Sequence, residues 1–225
     1  MFYEIFDNID GVIFDLDGTL IDSMGIWLQI DADYLGARGI AVPNNMNKMT
    51  EGKSFTEVAN LFKETFKLEE SIEEIKAEWI GMAKDYYANK IPLKAGAEEL
   101  LVQLKTQGKK VGLGTSCSRD LAMAVLKQHN LLTYFQTIVT SCEVPKGKPS
   151  PDVFLKGAEL LKISAEKTLV FEDTIAGVQA AKAAGMKVVA LYDLHAEEDQ
   201  EELRNLADYY LESIEELGIK DTATA

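Results

Sequence analysis

The sequence predicts a doubly wound, mainly parallel α/β sheet, Rossmann-like in plan, with a small all-helical cap domain inserted after the first strand. Three observations predict it. Short apolar runs at residues 110–114, 137–140, 168–171 and 187–191 alternate with helical periodicity from Ile91-Pro92 onward, the pattern of βαβ units. Residues 23–89 carry helical spacing throughout, so they belong to a separate layer. Charged or hydroxylated residues close four of the apolar runs, at the open strand ends where such sheets place their sites.

The elements follow in order. Val12-Ile13-Phe14 reads as a short buried strand, and Gly18-Thr19 as the turn that ends it. Ile26-Trp27, Ile30 and Tyr34-Leu35 recur near helical spacing, with Gly39 as a stop. Phe55, Val58-Ala59, Phe62 and Phe66 form a second stripe, and Ile72, Ile75, Trp79, Met82-Ala83 and Tyr86 a third. Glu69-Glu70 and Glu73-Glu74 lie at the start of that third helix, where acidic charge complements the helix dipole and reads as a solvated face. Helices are predicted over 97–104, 119–127, 151–161 (with Pro151 in the first turn), 175–184 (stopped by Gly185), 199–206 and 214–217, with an extended piece at 209–211. The expected division is a core of residues 1–22 and 91–225 and a helical cap of residues 23–90, hinged near Asp22-Ser23 and Lys90-Pro92. The tail, 221–225, is expected to fray.

Composition bounds the function. The 225 residues are 47% hydrophobic and carry a net charge of −14, a surface that repels phosphate backbones, so nucleic acid is not an expected partner. The same field repels small anions, and any phosphate site therefore needs local positive charge. Cys117 and Cys142 lack Cys-x-x-Cys spacing and read as buried small apolar residues of a reducing compartment. His129 and His195 do not fall in a zinc spacing, and His129 reads as a helix-end residue. No run approaches the roughly 18 apolar residues of a spanning helix, so no membrane partner is expected, a cytoplasmic location is, and monomer is the default.

The strand ends carry the chemistry. Asp15 and Asp17, two residues apart after a buried strand, need a metal, hydrogen bonds or a proton. Thr115-Ser116 are small hydroxyls able to hydrogen-bond a phosphate oxygen or to cap a helix, a role Ser118 also fits. In Lys146-Gly147-Lys148-Pro149-Ser150-Pro151-Asp152, two prolines and a glycine aim one lysine, Lys148, while Lys146 reads as solvated. Glu172 and Asp173 adjoin at the end of another buried strand, and Gly177 allows close packing of the helix beyond. Oxygen-only ligands favour Mg²⁺ over zinc. Four carboxylates, a fixed lysine and two hydroxyls suit phosphoryl transfer.

These motifs, in this order, resemble the haloacid dehalogenase superfamily of phosphatases and phosphomutases. Asp15-Leu16-Asp17-Gly18-Thr19-Leu20, Gly147–Asp152 and Phe171-Glu172-Asp173-Thr174-Ile175-Ala176-Gly177, with the cap lying between first and second motifs, resemble its beta-phosphoglucomutase-like branch. The resemblance implies Asp15 as nucleophile, forming an aspartyl-phosphate, and Asp17 as acid and then base. It implies Asp15, Asp17 (through its main-chain carbonyl), Glu172 and Asp173 around Mg²⁺, and Thr115 and Lys148 on the phosphoryl group, Ser116 standing beside them.

Two positions depart from the mutase pattern. Trp27 stands where the mutases carry a histidine, and Glu51-Gly52-Lys53-Ser54-Phe55 lacks their arginine. A lysine lacks the two-pronged grip of arginine. The reading is therefore a Mg²⁺-dependent phosphatase acting on a small phosphorylated metabolite such as a sugar phosphate. A sugar-phosphate mutase is the alternative, as is a phosphonatase using Lys53. Trp27, Met49 and Lys53 are the candidate specificity residues.

Overall fold

The computed structural model describes residues 2–50 and 52–218; Glu51 and the tail 221–225 lie outside the described residues. A short helix α1 (Phe2–Ile5) precedes strand β1 (Gly11–Phe14). Among the described residues, four helices follow before the next strand: α2 (Met24–Gly36), α3 (Met46–Thr50), α4 (Phe55–Phe66) and α5 (Ile72–Asn89). Then come α6 (Ala97–Thr106), β2 (Lys110–Thr115), α7 (Arg119–Gln128), β3 (Thr137–Thr140), α8 (Asp152–Leu161), β4 (Thr168–Glu172), α9 (Ile175–Ala183), β5 (Lys187–Leu191), α10 (Gln200–Leu206) and β6 (Tyr209–Leu211), with a 3-10 turn at Ile214–Leu217 where a helix is expected.

Among the described residues, six strands form one parallel sheet in the order β3-β2-β1-β4-β5-β6. Every residue of β1 and β4 is buried, as expected of central strands covered by helices on both faces. This is why they read as unbroken apolar runs. Chain order reverses at β1, which pairs with β2 on one side and β4 on the other. Phe14 lies opposite both Leu113 and Phe171, so the carboxyl ends of three strands open at one level, at the topological switch point.

The helices α2, α4 and α5 pack on one another through aromatic side chains. Trp79 stands edge-on to Tyr34, Phe55 and Phe62, with centroids 5.5, 5.5 and 4.8 Å away, the geometry that the ring quadrupole favours. The buried residues of α4 are Phe55, Ala59 and Phe62, the stripe its periodicity predicts. On α5 the buried line is Ile75, Trp79, Ala83 and Tyr87. Tyr86 is half-buried and packs against the core at its edge, as the spacing expects, and Tyr87, which the spacing did not single out, is the fully buried one. α5 packs along α7, and its end is held where His129 Nε2 meets Ile91 O at 2.8 Å. The two chain segments that join these helices to the sheet run side by side. Ile21 bridges Leu93, and Asp22 N donates to Pro92 O at 3.0 Å.

Four local expectations are revised. Pro151 is the residue before α8 rather than inside its first turn. Glu74 closes a capping box with Ser71, and Glu70 pairs with Arg38 at 2.7 Å, so those acids satisfy helix N–H groups and a guanidinium as well as facing water. Cys117 is buried but Cys142 is exposed. The chain after β5 forms a 3-10 turn, Leu194–Asp199, before α10 begins. No helix among the described residues is long and apolar enough to cross a membrane.

Candidate active site

Asp15 continues the line of β1: its N–H donates to Phe171 O at 2.9 Å. Its carboxylate is buried, and Lys148 Nζ lies 2.5 Å from Oδ1. Lys148 also bonds Glu172 Oε1, and its side chain is 2% exposed. One ammonium thus joins the ends of β1 and β4. Glu172 Oε2 accepts from the N–H groups of Asp173 and Thr174 (2.9 and 3.0 Å) and from Thr174 Oγ1 (3.0 Å), which covers two donors ahead of α9. Thr174 caps that helix. Gly177 faces this carboxylate, and a Cβ there would occupy the place of the Glu172 carboxyl group. The glycine therefore makes room for a site residue rather than for helix packing.

Asp173 is equally buried, and Thr19 Oγ1 donates to its Oδ1 at 2.8 Å. Gly18, at φ +82, lies against the same carboxylate, where a side chain would displace it. Burial pushes Asp173 well above its ordinary range, and the charges of Glu172 and Asp15 add to that shift. Burial also drives Asp15 up to about 7, against the pull of Lys148. Lys148 is raised: burial disfavours its charge, but Asp15 and Glu172 outweigh that.

Three buried carboxylates against one ammonium leave two negative charges out of water if all ionise, a costly state without a cation or protons. The donors are all oxygen, the set that takes a hard divalent cation. Among the described residues no three acidic, imidazole or thiol side chains already converge on one point. Main-chain oxygen, water and substrate would complete such a shell.

Asp17 is half-buried and held from the inserted helices. Ser23 Oγ donates to its Oδ1 at 2.6 Å, and Tyr87 OH donates to the same oxygen. Tyr87 in turn accepts from Trp27 Nε1 at 2.7 Å. Trp27 thus lines the cavity with its N–H already used.

The cavity, about 570 Å³, lies between these strand ends, α2 and the turn Leu194–Asp199. It brings together Asp15, Asp17, Thr115, Ser116, Lys148, Glu172 and Asp173, with Trp27 and Lys53. Met49, half-buried on α3, does not line it. Thr115 Oγ1 accepts from Cys117 N at 3.0 Å. Ser116 Oγ donates to Gly52 O at 3.1 Å, so its hydroxyl fastens the loop before α4 onto the sheet end. Gly52, at φ +69, presses that loop on the site, where a Cβ would stand 3.1 Å from Lys148 O. Lys146 is exposed.

Residues the sequence reading did not single out also shape the site. Ser23, Thr19 and Tyr87 grip its carboxylates. Asp193, buried after β5, pairs with Lys94 at 2.6 Å. Asp31 reaches the cavity from α2, and burial raises its carboxyl to about 7. Asp193 carries a sequence signal, an acid two residues after an apolar strand; Tyr87 carries none, since its partner lies 70 residues away.

Residues 12–191 match the family model described as haloacid dehalogenase-like hydrolase. The chain is 36% identical over 184 residues to a bifunctional riboflavin kinase/FMN phosphatase of Arabidopsis thaliana; that alignment covers 81% of this chain and 48% of that protein, so the chain spans about half of its length. It is 29% identical over 221 residues to hexitol phosphatase B of Escherichia coli K12, covering 95% and 96% of the two chains. A beta-phosphoglucomutase from Clostridium difficile shares the fold, with a TM-score of 0.81, 24% identity and 93% of each chain covered.

Proposed function

Because this chain belongs to the haloacid dehalogenase-like hydrolases, we propose that it is a phosphatase that hydrolyses a small phosphorylated metabolite, a sugar or polyol phosphate, with Mg²⁺. The observation that carries the reading is Lys148, buried at the sheet end and bonded to both Asp15 and Glu172. It neutralises a carboxylate crowd and offers a fixed cation to an incoming phosphoryl group. The phosphatase relatives add support.

Asp15 is the nucleophile. Lys148 takes its Oδ1, and no hydrogen bond among the described residues occupies Oδ2. That oxygen attacks phosphorus, the ester P–O bond breaks, and Asp17 gives its proton to the leaving oxygen. In the second half a water attacks the phosphorus of the aspartyl-phosphate. Asp17 takes the water proton, the bond to Asp15 breaks, and inorganic phosphate leaves. Thr115 and Lys148 hold the phosphoryl oxygens throughout. Asp15, Asp17 (by its main-chain carbonyl), Glu172 and Asp173 would hold Mg²⁺, which when bound supplies positive charge to the carboxylates and to the transferring group.

Helices α2–α5, within residues 23–90, act as a cap over a core of residues 1–22 and 91–225. They exclude bulk water and choose the leaving group. Trp27 and Lys53 face that group.

The test is phosphate release from a panel of sugar phosphates, polyol phosphates, nucleotides and phospho-acids, with Mg²⁺ and with chelator. Release on one group of substrates, lost with chelator, is expected. Isomerisation of beta-glucose 1-phosphate without phosphate release would replace the phosphatase by a mutase. Release untouched by chelator would remove the metal.

A further inference from the structure

We propose that Tyr87 is a positioning residue that fixes the carboxylate of Asp17 for proton transfer to the leaving group; this rests on the acid/base reading of Asp17 given above. The argument is one of hydrogen-bond directions. Indole Nε1–H is a donor only, and in this structure it is spent on Tyr87 OH at 2.7 Å. A phenol has a single proton. With a lone pair taken by Trp27, the Tyr87 hydroxyl directs that proton to Asp17 Oδ1. Ser23 Oγ gives a second O–H to the same oxygen at 2.6 Å. Oδ1 is therefore occupied by two donors, and the proton that Asp17 exchanges with substrate or water belongs on Oδ2.

One further feature suits this role. Tyr87 is wholly buried, on the face of α5 that continues Ile75, Trp79 and Ala83, so its rotamer is locked by packing. Ser23, Trp27 and Tyr87 come from the residue before α2, the body of α2 and the end of α5. The carboxylate beyond the end of β1 is thus oriented from the inserted segment, and its geometry depends on how that segment is seated.

The experiment compares kcat/KM for p-nitrophenyl phosphate, whose anion leaves without a proton, and phenyl phosphate, whose leaving oxygen needs one. Wild type, Tyr87→Phe, Ser23→Ala and Asp17→Asn are assayed, with thermal melts to verify folding. Tyr87→Phe is expected to lose about 10–100-fold on phenyl phosphate and less than about threefold on p-nitrophenyl phosphate, part of the ~10²–10⁴ that an acid/base group contributes. Asp17→Asn should show the same asymmetry more strongly, and Ser23→Ala the same asymmetry by removing the other donor. Equal losses of Tyr87→Phe on both esters would make its role structural and overturn the inference, as would no loss or a gain. Should Tyr87→Phe fail to fold, the asymmetry of Ser23→Ala decides whether the donors on Oδ1 orient the acid. If Asp17→Asn itself is indifferent to the ester, the acid/base reading fails, and the inference with it.

Discussion

Lys148 Nζ lies 2.5 Å from Asp15 Oδ1, across 133 residues of sequence, and the two side chains are only 2% and 9% exposed. This pair ties the loop before α8 to the end of β1. A second contact with Glu172 joins the lysine to both strand ends. A charge so placed is expensive to strand without its partners.

Removing it tests that. Lys148→Met should destabilise the protein by about 3–5 kcal/mol at pH 8, the cost of leaving buried carboxylates uncompensated. The loss should shrink toward pH 5, because Asp15, already raised to about 7, then takes a proton in place of the lost charge. Urea unfolding at the two pH values measures this. An equal loss at both would show that neutralisation is not what Lys148 does.

Asp15→Asn should abolish turnover while the fold survives. The amide removes a buried charge that burial already disfavours, so the thermal midpoint of the variant at pH 8 should equal or exceed that of wild type. Normal phosphate release by this variant would remove Asp15 as nucleophile.

Gly177→Ala should cost roughly 10–100-fold in activity, the usual weight of a group that orients a ligand carboxylate. A Cβ there would occupy the position of the Glu172 carboxyl group, whose Oε2 three donors and whose Oε1 Lys148 otherwise hold. The Mg²⁺ concentration for half-maximal rate should rise with it. A variant with unchanged Mg²⁺ dependence would show that Glu172 tolerates displacement.

Asp31→Asn should change the pH dependence of stability. Burial raises this carboxyl from 3.8 to about 7. Between those values the folded state binds more protons than the unfolded chain, so the Asp31 contribution is fully present below pH 3.8 and is lost as pH rises through 7. The asparagine variant lacks that loss. Its stability relative to wild type should grow from pH 4 to pH 7 by on the order of 1–2 kcal/mol after solvent screening, then level off. The slopes of Asp15 and Asp173 occur in both proteins and cancel in the difference. Parallel stability curves across that range would mean that Asp31 ionises freely in the folded state.

Much of this was legible in the chain itself. A central parallel strand is buried on both faces, so β1 and β4 announce themselves as apolar runs. Acids set directly after such runs, at Asp15, Asp17, Glu172 and Asp173, then fall at one end of the sheet. The helical periods of α2 and α4 gave their buried faces because two or three large aromatics fixed the phase. On α5 the aromatics Tyr86 and Tyr87 are adjacent, and spacing alone singled out the half-buried one and passed over the fully buried one. One residue is a turn of about 100° about the helix, and packing against α2 and α7 settles it.

What the sequence determined by itself is the main strands and helices, the parallel class of the sheet and the charged groups at the strand ends, since these follow from periodicity and from the cost of burying charge; the order of the strands and the short helices α1 and α3 came from the structure. Tertiary structure decided which side chains meet across long stretches of chain. It put Tyr87 rather than Tyr86 on Asp17, spent the Trp27 N–H on that tyrosine, turned Ser116 toward Gly52, set Gly177 against Glu172 and left Met49 away from the cavity. Those pairings depend on helix phase and on backbone approach between segments distant in sequence, and no local pattern encodes either.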